Sequence, residues 1–358
     1  MTSATLPPRK VGVLGCTGSV GQRFILLLAS HPSFTLTAIG ASPRSAGHPY
    51  AFKVSWKQTS PIPASAAALI IKTCEPANFA DCDIVFSGLD ADVAGPIETS
   101  FLEAGLTVFS NSKNHRRDPI TPLMVPLVNT HHFGILDHQR KQRKGTMVTN
   151  ANCSTTGLVV PLKALIDKFG PLEAVTVTTL QAISGGGYPG VPSFDVLDNV
   201  VPYIGGEEEK IEWETGKILA ELNEARDEFV HTEIKVSAQC NRVPVIDGHT
   251  ACVSVKFAKQ PAPSVEEIKQ AFREFKCEAQ ELGAPSAPKQ AIIVRDEPDR
   301  PQPRLDRESE GGYAVVVGRI REDPVLDVKF VGLSHNTVIG AAGSSILNAE
   351  VGVLKGLI

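Results

Sequence analysis

A buried-looking strand near the start of the chain runs straight into a turn with glycine at every third position, and few folds accommodate that arrangement. Residues 10–15, KVGVLG, read as the strand. GCTGSVG follows, placing glycine at 15, 18 and 21, and apolar residues recur through Phe24–Ala29 as in a helix. Strand, glycine turn and helix together make a phosphate cradle, because free N–H groups at the helix start can hold a pyrophosphate. The spacing is GxxGxxG rather than GxGxxG, so by itself it also suits a structural tight turn.

The second strand is Leu36–Ile39, and an acidic residue at its end would accept the ribose 2′-hydroxyl of NAD. The chain instead reads GASPRSAG from Gly40 to Gly47, with Ser42, Arg44 and Ser45 where a 2′-phosphate would sit. A planar guanidinium and hydroxyls suit phosphate, which favours NADP over NAD, with a solvated basic loop as the other reading. Further short strands at 83–89, 107–110 and 146–149, with helix-like 96–104 between two of them, argue a parallel α/β sheet. Residues 131–146, HHFGILDHQRKQRKGT, read as a surface excursion, with Arg140, Lys141, Arg143 and Lys144 on a solvated face. Residues 1–8, rich in Thr, Ser and Pro, are expected to fray.

Composition bounds the rest. The 358 residues suggest two domains, at roughly 150 residues each. A formal charge of −4 supplies no basic field for nucleic acid. No apolar run reaches the ~18 residues of a membrane span. The seven cysteines include no CxxC pair, and no signal-peptide pattern precedes the first strand, so a reducing, cytoplasmic setting is expected. No cysteine–histidine spacing suggests a metal site.

The candidate nucleophile is Cys153, in NANCSTTG, between a strand and a helix. At a helix N-terminus a thiolate is favoured by free N–H groups and the dipole, and the same N–H groups could stabilise an oxyanion. A packed structural thiol is the alternative. Cys16, Cys82 and Cys252 read as core packing. Among nine histidines, His249 follows a glycine immediately before a strand, where a side chain can enter a cleft, and His335 is a second possibility. His231 reads as structural, within a strand.

The ordered set GCTGSVGQ (15–22), GASPRSAG (40–47), SNSKNHRRDP (110–119), NCSTTG (152–157), QAISGGGYPG (181–190), EEEKIEWETGKIL (207–219), NRVPVIDGHT (241–250) and NTVIGAAG (336–343) resembles the aspartate-semialdehyde dehydrogenases of fungi and archaea. The resemblance implies NADPH-dependent, reversible reductive dephosphorylation of L-4-aspartyl phosphate to L-aspartate 4-semialdehyde through a cysteine thioester. That step lies on the route to threonine, methionine, isoleucine and, where the pathway exists, lysine. It assigns Cys153 as nucleophile, Gln181 as the residue orienting substrate, and His249 as general acid/base. Arg242 would grip the substrate carboxylate, and Arg116 and Lys210 the phosphate, with Glu207 beside Lys210 and Arg117 as a substitute for Arg116. For NADP(H) it implies Gly15, Thr17, Gly18, Ser19 and Val20 at the pyrophosphate, and Ser42, Arg44 and Ser45 at the 2′-phosphate. Gly88 and Leu89 would form a third contact loop. Gly186 and Gly187 would lie near the nicotinamide, with Asn336 bonding its carboxamide. Cys16 and Ala151 depart from the alanine and proline usual there.

The expected architecture is a Rossmann-type parallel-sheet domain, residues 1–152 completed by 336–358, plus an α+β catalytic and dimerisation domain with a mixed sheet, residues 153–335. Strands are expected at 170–180, 228–238, 250–258, 291–296, 313–320 and 327–333, and a helix at 265–281 opened by a capping box from Ser264 to Glu267. The open face of the second sheet needs a cover, so a homodimer is the minimum and a homotetramer the larger expectation. The competing readings are an N-acetylglutamyl-phosphate reductase-like enzyme, a glyceraldehyde-phosphate dehydrogenase, and an NADP-binding protein without catalysis. Arg242 and the EEEK segment favour the aspartyl substrate. The missing acidic residue after the second strand disfavours the glyceraldehyde-phosphate enzyme.

Overall fold

The computed structural model describes residues 6–358. The fraying expected of residues 1–8 lies outside the described residues up to residue 5 and is wrong at Leu6, which is buried in the core. The first sheet is parallel throughout, in the order β3-β2-β1-β4-β5-β7-β6. Its strands are β1 (Arg9–Leu14), β2 (Phe34–Ala41), β3 (Ile71–Thr73), β4 (Ile84–Ser87), β5 (Thr107–Ser110), β6 (Leu123–Met124) and β7 (Thr146–Asn150). Alternate residues serve two cores. Val13, Phe86, Phe109 and Val148 face one, with Phe24 and Ile25 of α1 (Ser19–Leu28); Leu14, Val85, Val108 and Met147 face the other, with Phe101 and Leu102 of α2 (Ala91–Glu103). Burial on both faces explains why these strands are continuously apolar. Each fully buried phenylalanine contributes roughly 1.5–3 kcal/mol.

Stretch 131–146 is not the surface excursion its composition suggested. After a 3₁₀ turn at Thr130–Ile135, helix α3 (Leu136–Gln142) follows, and His132, Phe133, Ile135, Leu136 and Gln139 are buried. The Gln139 amide donates to the Ile120 and Met147 carbonyls and accepts the Met147 N–H, tying α3 to β7.

Helix α4 (Cys153–Phe169) leaves β7 and crosses onto the second sheet. That sheet is mixed, in the order β11-β8-β12-β15-β14-β13, and comprises β8 (Leu172–Gln181), β11 (Lys235–Arg242), β12 (His249–Phe257), β13 (Ile292–Arg295), β14 (Val315–Glu322) and β15 (Val328–Ser334). A small hairpin, β9 (Glu221–Leu222) with β10 (Phe229–Val230), stands apart. The expected strand at 228–238 is therefore two pieces, and His231 lies between them. Helix α5 (Glu207–Ile218) packs on β11; α4 and α6 (Val265–Glu274) cover one face of the sheet. The Ser264–Glu267 capping box is present, but α6 ends at Glu274 and a separate turn begins at Glu278. Cys252 is exposed on the sheet rather than in the core. The chain closes with a π-helical turn, Val338–Ala342, and α7 (Gly343–Leu354), which packs against β4, β5 and β7. Among the described residues no helix is long and apolar enough to cross a membrane.

Candidate active site

At the C-terminal end of β1 the chain turns sharply under Gly15, whose φ of +73° suits glycine. Gly21 packs so closely that a Cβ there would lie 2.0 Å from the Gly15 carbonyl oxygen. Helix α1 opens after Gly18 with no acidic side chain in its first turn, leaving its positive dipole end unopposed.

From this turn a cleft of about 1040 Å³ runs between the domains. Its lining includes Gly15, Thr17, Gly18, Ser19, Val20, Ser42, Arg44, Gly88, Leu89, Gly186, Gly187 and Asn336, and it ends on Arg116 and Cys153. Ser45, expected beside them, is not in the lining. Size, free helix N–H groups and the Arg44 cation fit a phosphorylated dinucleotide. The Asn336 amide is already engaged, accepting the Gly248 N–H at 2.8 Å and donating to Ser184 Oγ at 2.8 Å.

The reacting groups meet through sheet register. Arg242 and Gln181 are paired at the ends of the parallel strands β11 and β8. On the other side of β8, antiparallel β12 pairs Thr250 with Leu180, so His249 begins level with Gln181. Helix α4 delivers Cys153 onto this row, with Sγ 3.2 Å from His249 Nε2. Arg242 donates to the Ala182 carbonyl at 2.7 Å, and the Ala182 N–H donates to His249 Nδ1 at 3.0 Å. Because Nδ1 accepts, the neutral ring carries its proton on Nε2, facing sulfur.

Burial, reinforced by the Arg242 charge, lowers the His249 pKa to about 3. Burial, with the Glu207 charge adding to it, pushes the Cys153 thiol up to about 12, against the opposing pull of Arg116, Arg242 and the Ser154 N–H. Both shifts favour a thiol beside an uncharged imidazole.

Asn152, which sequence reasoning passed over, caps α4 by accepting the Ser154 and Thr155 N–H groups. Those two donors are therefore shared with the cap, which leaves the Cys153 N–H as the uncapped donor of the first turn. Its own N–H donates to Glu214 at 2.6 Å and its amide to Glu207 at 2.8 Å. Asparagine directly before the cysteine was the legible signal for this cap. Glu207 also takes Lys210 at 2.6 Å and, weakly, Gln181 at 3.4 Å. Burial works to raise the Glu207 pKa, but Lys210 and the bonds from Lys210 and Asn152 outweigh it and hold the carboxylate below its usual range. Arg116 donates to Glu214 and to the Asn111 carbonyl, each at 2.8 Å, while its Nε–H has no partner. Arg117 instead stacks on the Trp213 ring, 4.5 Å from its centroid, which favours Arg116 as the residue facing the cleft. His335 is buried behind the site, 3.4 Å from Glu308.

Comparison with known proteins identifies the family. Residues 10–135 match the semialdehyde dehydrogenase NAD binding domain and 162–339 the semialdehyde dehydrogenase dimerisation domain. Aspartate-semialdehyde dehydrogenase of Cryptococcus neoformans is 62% identical, over 98% of this chain and 99% of that protein. The Archaeoglobus fulgidus enzyme is 48% identical over 97% and 99%, so the likeness is stronger on the fungal side. The crystal structure of the Candida albicans enzyme with NADP superposes with a TM-score of 0.92 at 58% identity, covering 98% of this chain and 100% of that one. With both domain models matched in order and relatives of this similarity spanning its length, the chain belongs to the aspartate-semialdehyde dehydrogenase family.

Proposed function

We infer that this chain reduces L-4-aspartyl phosphate to L-aspartate 4-semialdehyde with NADPH, reversibly and with release of phosphate, on the route to threonine, methionine and isoleucine. The carrying observation is the Cys153–His249 contact of 3.2 Å, with Cys153 on the wall of the cleft that begins at the glycine turn.

Arg242 suits the substrate carboxylate, because a guanidinium binds it through two parallel donors. Arg116 and Lys210 would neutralise the phosphate. Cys153 sulfur attacks the acyl carbon; the C–O bond to phosphate breaks, the thiol proton leaves on the phosphate, and a thioester remains. NADPH, when bound, supplies a hydride to the thioester carbon. The His249 Nε2–H donates to the oxygen that gains charge; the C–S bond then breaks, and the same N–H holds the departing sulfur until a solvent proton restores the thiol. This geometry supports His249 as a hydrogen-bond donor rather than a base, since its accepting nitrogen faces the Ala182 N–H. Gln181 lies level with His249, where its amide can hold the acyl group.

Aspartate semialdehyde, phosphate and NADP given to purified protein should produce NADPH absorbance that Cys153→Ala abolishes. Reduction of NADP only with N-acetylglutamate semialdehyde or another aldehyde would overturn the substrate assignment.

The second domain supports a homodimer. Apolar side chains stand exposed at Phe194 (97%), Leu197 and Tyr203, after β8, and at Ile246, after β11, and a second copy would cover them. Sedimentation should give two chains, or four if dimers pair, and the double variant Phe194→Glu, Tyr203→Glu should shift the mass to one chain. A wild-type monomer defeats this reading.

A further inference from the structure

One face of α5 carries Glu207, Lys210, Glu214 and Lys217 at helical spacing. Glu207 meets Asn152 and Gln181, Lys210 meets Glu207, and Glu214 meets Asn152 and Arg116, as described above. Lys217 touches none of the reacting groups. It is 2% exposed, and its three ammonium hydrogens go to three backbone carbonyls of one turn: Arg116 at 2.8 Å, Asp118 at 2.8 Å and Thr121 at 2.9 Å.

We propose that Lys217 is the positioning residue for Arg116, holding the 116–121 turn so that the guanidinium keeps its place on the cleft wall for the substrate phosphate. The inference rests on the functional reading above. Residues 111–122 form neither helix nor strand, so no ladder fixes this turn. A buried carbonyl without a partner costs roughly 1–3 kcal/mol; Lys217 satisfies those of Arg116 and Thr121 and shares that of Asp118 with the Thr121 N–H. Only an ammonium offers three donors and no acceptor. The guanidinium of Arg116 is fixed from the same helix one turn earlier, by Glu214. Lys217 and Glu214 thus grip the two ends of one residue, its backbone and its side chain.

Burial lowers the Lys217 pKa to about 8, against the opposing pull of Asp118 and Glu214. Its nitrogen lies 5.0 Å from the Phe229 ring centroid and 5.8 Å from that of Trp213. The other charged or titratable groups facing it are Arg116 and Arg117 from the turn and His132 and His231 from beyond the rings; burial lowers the pKa of both histidines.

Lys217→Met keeps the stem and removes the donors. In the phosphorylating direction it should raise the phosphate KM at least tenfold, while KM for NADP and for aspartate semialdehyde stays within about twofold. Added to Arg116→Ala it should change phosphate affinity no further, because it acts through that residue. Equal changes in all three KM values, or an undiminished effect without Arg116, would overturn the proposal. Wild-type protein supplies a measurement that needs no variant: the phosphate KM, referred to the dianion, should climb as Lys217 loses its proton with rising pH while the NADP KM stays flat, and a phosphate KM flat up to about pH 10 overturns it. Calorimetric Kd values for inorganic phosphate, read on the same proteins, separate the two claims. Phosphate binding that weakens in Lys217→Met without any NADP reduction in the wild type defeats the enzymatic reading alone; binding unaffected by the substitution defeats the role of Lys217.

Discussion

His132 and His249 meet the same requirement in two places. Each ring is buried, and each Nδ1 accepts an N–H, from the Asn129 amide at 3.0 Å or the Ala182 backbone at 3.0 Å. Each then presents Nε2–H, to the Ala220 carbonyl at 2.8 Å or to the Cys153 sulfur at 3.2 Å. A second proton would have to sit on Nδ1 against an existing donor. Burial lowers both pKa values from 6.5 to about 3. Between pH 6.5 and 3 the unfolded chain therefore binds protons that the folded chain refuses, so stability falls as pH drops through that window and is unaffected above it. Urea midpoints measured from pH 7 to 4 should fall steadily, and His132→Gln, remote from the cleft, should flatten the slope. An unchanged slope in that variant would mean that folded His132 takes up its proton like a solvated imidazole.

At the scale of elements, the π-helical turn at Val338–Ala342 presses its backbone on the first residue of α4. A Cβ on Gly340 would lie 2.9 Å from Cys153 Cβ and 3.2 Å from its Cα. Gly340→Ala must displace the sulfur or the turn, and misplacing a reacting atom by about 1 Å can cost on the order of a hundredfold. Its kcat should fall roughly ten- to a hundredfold with the fold retained by circular dichroism; an unchanged kcat would show that α4 slides without penalty. Much of this site was legible locally: strand, glycine turn and helix, and a cysteine at a helix start. His249 stood out locally, before a strand, but Arg242 and Gln181 were reachable only by resemblance, since the row is made by register across β11, β8 and β12, which no local pattern encodes. Helix α6 stops at Glu274 with no glycine or proline to announce it, because Phe275 turns extended and packs on the core. Stretch 131–146 misled through its charged letters, yet His132, Leu136 and Gln139 stand at helical spacing and are among its buried residues.

Across the whole molecule, a buried carboxylate helps tie the two domains together away from the cleft, beside the Glu278 contacts with Thr130 and Lys355. Glu350 of α7 is fully buried; it meets His31, between α1 and β2, at 2.7 Å, and accepts the Ser286 hydroxyl at 2.6 Å and backbone N–H at 2.9 Å. His31 stacks on Phe34 of the first sheet, while Ser286 belongs to the loop before β13 of the second. Three stretches far apart in the chain thus share two oxygens, and removing them leaves an imidazole, a hydroxyl and an N–H buried without acceptors. Leaving a buried donor without its acceptor costs roughly 1–3 kcal/mol, more than losing an exposed ion pair. Glu350→Ala should therefore lower the unfolding free energy by about 3 kcal/mol at fixed protein concentration, a condition that matters if the chain is dimeric. Because the lost bonds join the two sheets, the urea transition followed by tryptophan fluorescence should also separate from that followed by far-UV circular dichroism. A loss below about 1 kcal/mol with coincident transitions would mean that the α4 crossover and the Glu278 contacts with Thr130 and Lys355 hold the two domains together without Glu350.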